Sequence, residues 1–342
     1  MKRICYVLVA ASLLLNACSE PIEFDPGQVE PYAVLLSRPM NDSTVCVHLS
    51  YSRFFLDNRE PEAVSDALVT LDVNGVASVG AYDAGAYFGY GAYTFTSKPQ
   101  PGDILKVTAS IPGYDRTVKA TTSIPPAANV EILDYVIDTS GRQTNDGDYY
   151  YYGDNFYYKI RFKVKSHSND EFYCVSIKHA DTRRVGMNWV WDTTNWIRTY
   201  FSMNDPLVNS QNVEDVIEGY DGTFYGDEAF FSSELFQNGE HEFSVVVEEW
   251  PDYGNGLDYA HFPLLLEVRT LSRELYRYEQ TADNATYDFF DGLFSEPVQV
   301  ICNIEGGIGI FGGSCRKRFS LPEPRYEGFP HDDYYFYKKG RK

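Results

Sequence analysis

Ile104-Leu105-Lys106-Val107-Thr108-Ala109-Ser110-Ile111-Pro112-Gly113-Tyr114, followed by Thr117-Val118-Lys119-Ala120-Thr121-Thr122-Ser123, decides the fold class. Apolar and polar residues alternate at a period of two on either side of a proline–glycine turn, which describes two half-buried strands. Working outward, Ala33–Ser37, Thr44–Ser52, Ala67–Val73 and Ala92–Ser97 share that character. Met40-Asn41-Asp42, Val73-Asn74-Gly75 and Gln100-Pro101-Gly102 supply the turns between them. Six or seven short strands in about ninety residues predict a sandwich of immunoglobulin or transthyretin type over residues 31–126. Pro125-Pro126 closes that unit.

Residues 127–342 continue the theme less regularly. Val130–Ile137, Phe156–Ser166, Glu171–His179, Glu242–Trp250 and Pro263–Thr270 are predicted strands. Long polar and aromatic loops are expected between them, chiefly 138–154 and 181–238, suited to binding or to hidden small elements. Ser272 is placed to cap one short helix over Arg273–Asn284, with Leu275, Tyr276 and Tyr278 near one face. The expectation is an all-β chain with a single short helix and a larger, irregular β-rich second domain.

The N-terminus gives an address. Lys2 and Arg3 precede the apolar run Ile4–Leu15, and Ala17 stands directly before Cys18. Such a run is too short to span a bilayer and has the length of a secretory core. Residues 1–17 are therefore expected to be a lipoprotein signal. Cys18 would be the lipidated residue that ties the chain to a membrane, and 18–30 a tether interrupted by Pro21, Pro26 and Gly27. The formal charge of −20 argues against a nucleic-acid partner. Glu20, Glu23 and Asp25 fit either an export signal to the cell surface or an ordinary solvated tether.

Cys46 and Cys174 sit inside apolar runs and are expected to be buried thiols; Cys302 and Cys315 flank a glycine-rich segment and could meet across a hairpin. Nothing points to catalysis. His48, His167, His179, His241, His261 and His331 are scattered, and no G-x-S-x-G elbow occurs. Glu248-Glu249 and Asp332-Asp333 would point to opposite faces of a strand as solvated charge. Asp146-Gly147-Asp148 and Asp221-Gly222 lack the closing glutamate of an EF-hand. No catalytic residue, metal ligand or cofactor is expected.

Aromatic residues make up 16% of the chain, 28 of them tyrosine, which favours recognition surfaces. Two clusters stand out. Tyr149–Tyr152 with Phe156, Tyr157 and Tyr158 brackets a turn at Gly153-Asp154-Asn155. Trp189, Trp191, Trp196, Tyr200 and Phe201 accompany Arg183, Arg184 and Arg198. Tyr150, Tyr152, Tyr157, Trp189, Trp191, Trp196 and Arg198 are the candidate binding residues, because rings beside guanidinium groups are enriched at interaction hot spots. A small local core beneath the long loop is the other reading of the tryptophans.

Pro297–Glu305, read as a strand, leads into Gly306-Gly307-Ile308-Gly309-Ile310-Phe311-Gly312-Gly313. This is no dinucleotide fingerprint, since no helix pattern follows; the glycines imply bends and close backbone approach. With Leu271-Ser272-Arg273-Glu274-Leu275-Tyr276-Arg277-Tyr278, the early Ala67–Leu71 strand and the Gly113-Tyr114 turn, the segment resembles the Bacteroidota lipoprotein family called domain of unknown function 4249. The resemblance implies an outer-membrane lipoprotein of a kind often encoded beside TonB-dependent transporters, and it implies no reaction; a cell-surface position with such a barrel as partner is the expectation that follows. The function expected is non-enzymatic binding in nutrient uptake; the alternative is adhesion independent of a transporter.

Overall fold

The computed structural model describes residues 30–53, 62–138, 144–146, 149–151, 156–209, 223–249, 257, 262–291 and 299–327. Cys18 and Tyr152 lie outside them, as does most of the tether.

The first part contains β1 (Ala33–Ser37), β2 (Cys46–Tyr51), β3 (Leu68–Val73), β4 (Val76–Val79), β5 (Ala81–Asp83), β6 (Ala92–Thr94), β7 (Ile104–Ser110) and β8 (Val118–Ser123). β7 and β8 pair antiparallel with Ile104 opposite Ser123, as the opening alternation requires. Leu105, Val107 and Ala109 point inward with no exposure, whereas Lys106 and Ser110 face out. These strands close a sheet of order β4-β3-β7-β8. A second sheet, containing β1, β2, β6 and β5, packs over it through Leu35, Val47, Leu49, Leu71 and Val107.

The second part contains β9 (Asn129–Asp138), β10 (Thr144–Asp146), β11 (Tyr149–Tyr151), β12 (Phe156–Lys165), β13 (Phe172–Val185), β14 (Asn188–Thr199), β15 (Phe201–Met203), β16 (Phe224–Gly226), β17 (Ala229–Ser232), β18 (Glu240–Glu249) and β19 (Leu264–Leu271). Helix α1 (Arg273–Asp291) follows, then β20 (Ile308–Phe311), β21 (Ser314–Ser320) and β22 (Arg325–Glu327). One sheet has the order β16-β15-β18-β12-β9-β22; the other is β14-β13-β19-β21, with β17 also on β13. Phe162, Val245, Val175, Ile177 and Leu266 fill the space between them.

Two expectations change here. The segment 181–238 is not one long loop: Asp181–Val185 extends β13, and β14 returns beside it as a hairpin. Residues 299–304 are not a strand. They are held by side chains instead: Asn303 donates to the Phe311 carbonyl at 2.8 Å and accepts from its N–H at 3.0 Å. Within 138–154, β10 and β11 form a small hairpin.

The glycine run is where the chain crosses between the halves. β20 pairs parallel with β1, and Ile304, Phe311 and Cys315 enter the first core. Two residues later β21 joins β19 in the second part. A Cβ on Gly309 would stand 2.2 Å from the Leu35 carbonyl oxygen, and one on Gly313 2.2 Å from that of Ser123. Backbone meets backbone there, so only glycine fits. Ser272 opens α1, its hydroxyl accepting from the Leu275 N–H at 3.4 Å, and Leu275 and Tyr276 are buried against Cys174 and Ile310.

Candidate functional site

The β13–β14 hairpin outruns its sheet. The last pairing of β13 with β19 is His179 with Leu264, whereas β13 and β14 stay paired to Val185 and Asn188. Five pairs, Asp181–Val185 with Asn188–Asp192, therefore form a two-stranded ribbon of about 16 Å at the usual rise per residue. Gly186, with φ +62°, and Met187 make its two-residue turn, with glycine where a type II′ turn needs it. Thr193–Asn195 bulge out of the ladder. Asp192 accepts from the Thr194 N–H and hydroxyl, and Asn195 donates to Asp181 at 2.7 Å.

Apolar residues are displayed along this ribbon and its root. Met187 is 90% exposed and Trp189 43%; Val185, Ile197, Tyr200 and Tyr225 are also exposed, and the Tyr200 and Tyr225 rings stack at 5.6 Å. Arg184 stands opposite Trp189 in the register. Arg183 reaches Asp192 only at 4.0 Å. An exposed apolar strip with two arginines and no carboxylate between Thr182 and Val190 is unusual on so acidic a chain.

The structure separates the tryptophans that the sequence grouped. Trp189 is at the tip. Trp191 is half-buried, its ring edge-on to Phe262 at 5.0 Å, and belongs to the rim of the core. Trp196 is half-buried opposite Ala180. Arg198 is engaged at the root, 3.0 Å from Glu228 and 3.8 Å from Asp227. Trp191 thus fits the reading of a small local core, while Trp189 stands exposed at the tip. Of the tyrosines, Tyr150 lies in β11, and Tyr157 is half-buried on β12 between Asp138 and Glu248.

An ion network fixes the root. Glu267 is buried and receives Arg318 at 2.8 Å and Lys178 at 3.0 Å. Burial pushes the Glu267 carboxyl up, but the hydrogen bonds from Arg318 and Lys178 outweigh it and hold the group below the usual range. Arg269 bridges Glu228 and the Cys174 sulfur. Cys46, Cys174, Cys302 and Cys315 are all free thiols. Cys174 and Cys315 are buried, Cys46 half-buried and Cys302 exposed. Burial pushes the Cys174 thiol up to about 12.

A polar feature that sequence reading passed over lies at the end of the second sandwich. Phe243, Val245 and Val247 form the inward stripe of β18, and the next inward residue is Glu249, directly opposite the buried Phe156. Glu248 and Glu249 do face opposite ways, but Glu249 is not solvated surface charge. On β13 the inward stripe Tyr173, Val175, Ile177 continues to His179, whose ring stacks on Phe262 at 5.4 Å. Thr199 hydrogen-bonds the Glu249 carboxyl. Tyr158 lies 5.1 Å from Phe262 and 6.0 Å from Phe156. A stripe of alternate residues running 243, 245, 247, 249 was the available signal.

Fold and surface together define an all-β protein of two sandwiches joined at the glycine run, with a projecting aromatic hairpin. The chain belongs to the family described as domain of unknown function (DUF4249), whose model matches residues 19–319. No curated protein matches it. Among the described residues, no helix is long and apolar enough to cross a membrane.

Proposed function

We propose that this protein is an outer-membrane lipoprotein, anchored through Cys18 with its domains outward, that binds without catalysing. Its partner in this reading is a TonB-dependent barrel engaged in nutrient uptake. The observation that carries the reading is the β13–β14 ribbon, with Met187 and Trp189 held exposed beside Arg183 and Arg184. Apolar and guanidinium groups presented on a projecting ribbon have the composition of an interaction hot spot. The signal-like Lys2–Cys18 segment supports the address. A tether of residues 19–30 reaches at most ~43 Å and keeps the sandwiches near a neighbouring barrel's mouth.

The test is affinity purification of the tagged full-length protein from native outer membranes in mild detergent, beside a Met187→Ser/Trp189→Ser variant. A barrel at equal stoichiometry with the wild type, and at least about tenfold less with the variant, is the expected result. A wild type recovered alone sinks the transporter partnership and leaves adhesion as the better account. Protease shaving of intact cells reports the face: surface exposure predicts cleavage without lysis.

A further inference from the structure

We propose that the end of the first sandwich at which the chain enters is a membrane-contact surface, with Phe88 resting in the interface of a zwitterionic bilayer. The β5–β6 loop, residues 84–91, holds that ring outward: Phe88 is 95% exposed. Tyr87 and Phe88 both lie in the left-handed region, at φ +53° and +60°, which bulky residues adopt only where their surroundings hold them. The Tyr87 ring stacks on His48 at 4.7 Å, and the His48 Nδ1 is 2.7 Å from the Gly91 carbonyl oxygen. The Gly89 and Gly91 N–H groups donate to the Ala86 carbonyl at 3.2 and 3.0 Å. Tyr87 is thereby held against the sheet, and Phe88 is the ring left to project.

The register places this loop beside the entry of the chain. β1 begins at Ala33, opposite Tyr51, and Val34 stands opposite Ser50. Ser50 also bridges Ala63, and a Cβ on Gly91 would lie 3.4 Å from that of Ala63. The base of the loop is thus three strand spacings, about 15 Å, from Val34. The β7–β8 turn is at the same end, since the Tyr114 hydroxyl accepts from the Ala33 N–H at 3.3 Å. So is Leu68, which opens β3 opposite Ser110 at the close of β7. Tyr32, Leu68 and Tyr90 are also exposed here. No residue between Asp83 and Lys98 is charged, and the Asp83 carboxylate accepts from the Gly85 N–H at 2.9 Å. A phenylalanine flanked by tyrosines suits the boundary between headgroups and acyl chains. Asp66 and Asp115, exposed at this end, oppose an anionic surface, so a zwitterionic one is the occupant that fits. The tether of residues 19–30 ends here, so a chain anchored through Cys18 carries this end nearest the bilayer. The address rests on that anchoring reading; the contact requires no barrel.

For the test, protein with a histidine tag in place of residues 1–18 is held on phosphatidylcholine vesicles containing a nickel-chelating lipid. Contact is then read without relying on Cys18. The tryptophan emission added by Phe88→Trp should be lost to brominated phosphatidylcholine. Bromines high on the acyl chain should quench more than deep ones, because an interfacial ring enters only about 5–10 Å. The unsubstituted protein, with its 4 tryptophans, supplies the background. Added emission that brominated vesicles leave unchanged overturns the proposal and assigns the loop to a protein partner. Should Phe88→Trp fail to fold, Tyr90→Trp gives the same reading. Lipid on Cys18 is sought separately, by mass spectrometry of the N-terminal peptide from native membranes, so failure of the anchor and failure of the contact are distinguishable.

Discussion

Residue by residue, the chain separates positions where chemistry is silenced from positions where space is lacking. Cys174 is fully buried and its thiol is pushed up to about 12, so almost none is thiolate near neutrality. Cys302 is exposed. Brief iodoacetamide treatment of the native protein at mildly alkaline pH should therefore label Cys302 first and leave Cys174 unmodified, as peptide mass spectrometry would report. Early labelling of Cys174 would contradict its burial. Glycines give a second contrast. Gly75 sits in the turn between β3 and β4 at φ +89° with nothing near its absent side chain, so Gly75→Ala meets only the left-handed penalty of about 1–2 kcal/mol. Gly309→Ala adds a clash with the Leu35 carbonyl and should cost more, at least about 3 kcal/mol by urea unfolding. Glu267 sets the acid limit of this region. Its folded value is depressed, so its contribution is present above the ordinary glutamate range and is lost as pH falls through the folded value. Glu267→Gln should flatten that acid limb, and it should destabilise near neutrality by about 3–5 kcal/mol, because Lys178 loses its buried partner and Arg318 a direct hydrogen bond.

At the scale of elements, the hairpin separates an exposed tryptophan from one packed against the core. Trp189→Ala removes an exposed ring and should change unfolding free energy by no more than about 0.5 kcal/mol. Trp191→Ala removes a ring packed on Phe262 and should cost about 2–3 kcal/mol. If partner binding is lost in Trp189→Ala while stability holds, the tip is a recognition surface; equal destabilisation by both would return the whole cluster to the core. The same hairpin explains what could be read from sequence. β7, β8 and β12 were legible because one face of each meets a core and the other is more open, which writes a period of two into the residues; β19, buried along nearly its whole length, was legible as an apolar run. Asp181–Val185 and Asn188–Asp192 stand clear of the sandwich on most sides, so no burial imposes a pattern and the segment resembles a loop. Glu249 and His179 were hidden for another reason. Each continues an inward stripe, but a charged residue at a strand end is ordinarily taken for its solvated boundary. Within the expected Pro297–Glu305 strand, residues 299–304 make no strand because the Ile301 N–H goes to the Thr281 hydroxyl and the Ile304 N–H to the Cys302 sulfur; only Glu305 meets a strand, as a bridge to Lys119.

For the molecule as a whole, the question is whether two sandwiches make two folding units. The pattern of strands up to Ser123 suggests that the first could stand alone, yet its sheet is completed by β20, which lies nearly two hundred residues further on. Ile304, Phe311 and Cys315 occupy the first core, so a chain ending near residue 126 leaves β1 as an unpaired edge and exposes Leu35, Val107 and Val118 to a void. The crossing into β21 is equally tight. Only Gly312 and Gly313 separate the strand in one sandwich from the strand in the other, and a Cβ on Gly312 would stand 2.5 Å from Leu275 Cβ on α1. The Gly313 N–H donates to the Thr122 hydroxyl, which in turn donates to Glu274 on α1 at 2.5 Å, so first sheet, linker and helix share one hydrogen-bonded joint. Loss of either sandwich would pull β20 or β21 from its neighbour, which couples their unfolding. Scanning calorimetry of the full-length protein should therefore show a single transition, with its calorimetric and van't Hoff enthalpies in agreement. Residues 31–126 expressed alone should show no cooperative melt. Two resolved transitions, or a stable isolated first sandwich, would mean that the returning strand decorates a finished core; one transition would mean that the glycine crossing holds the molecule together.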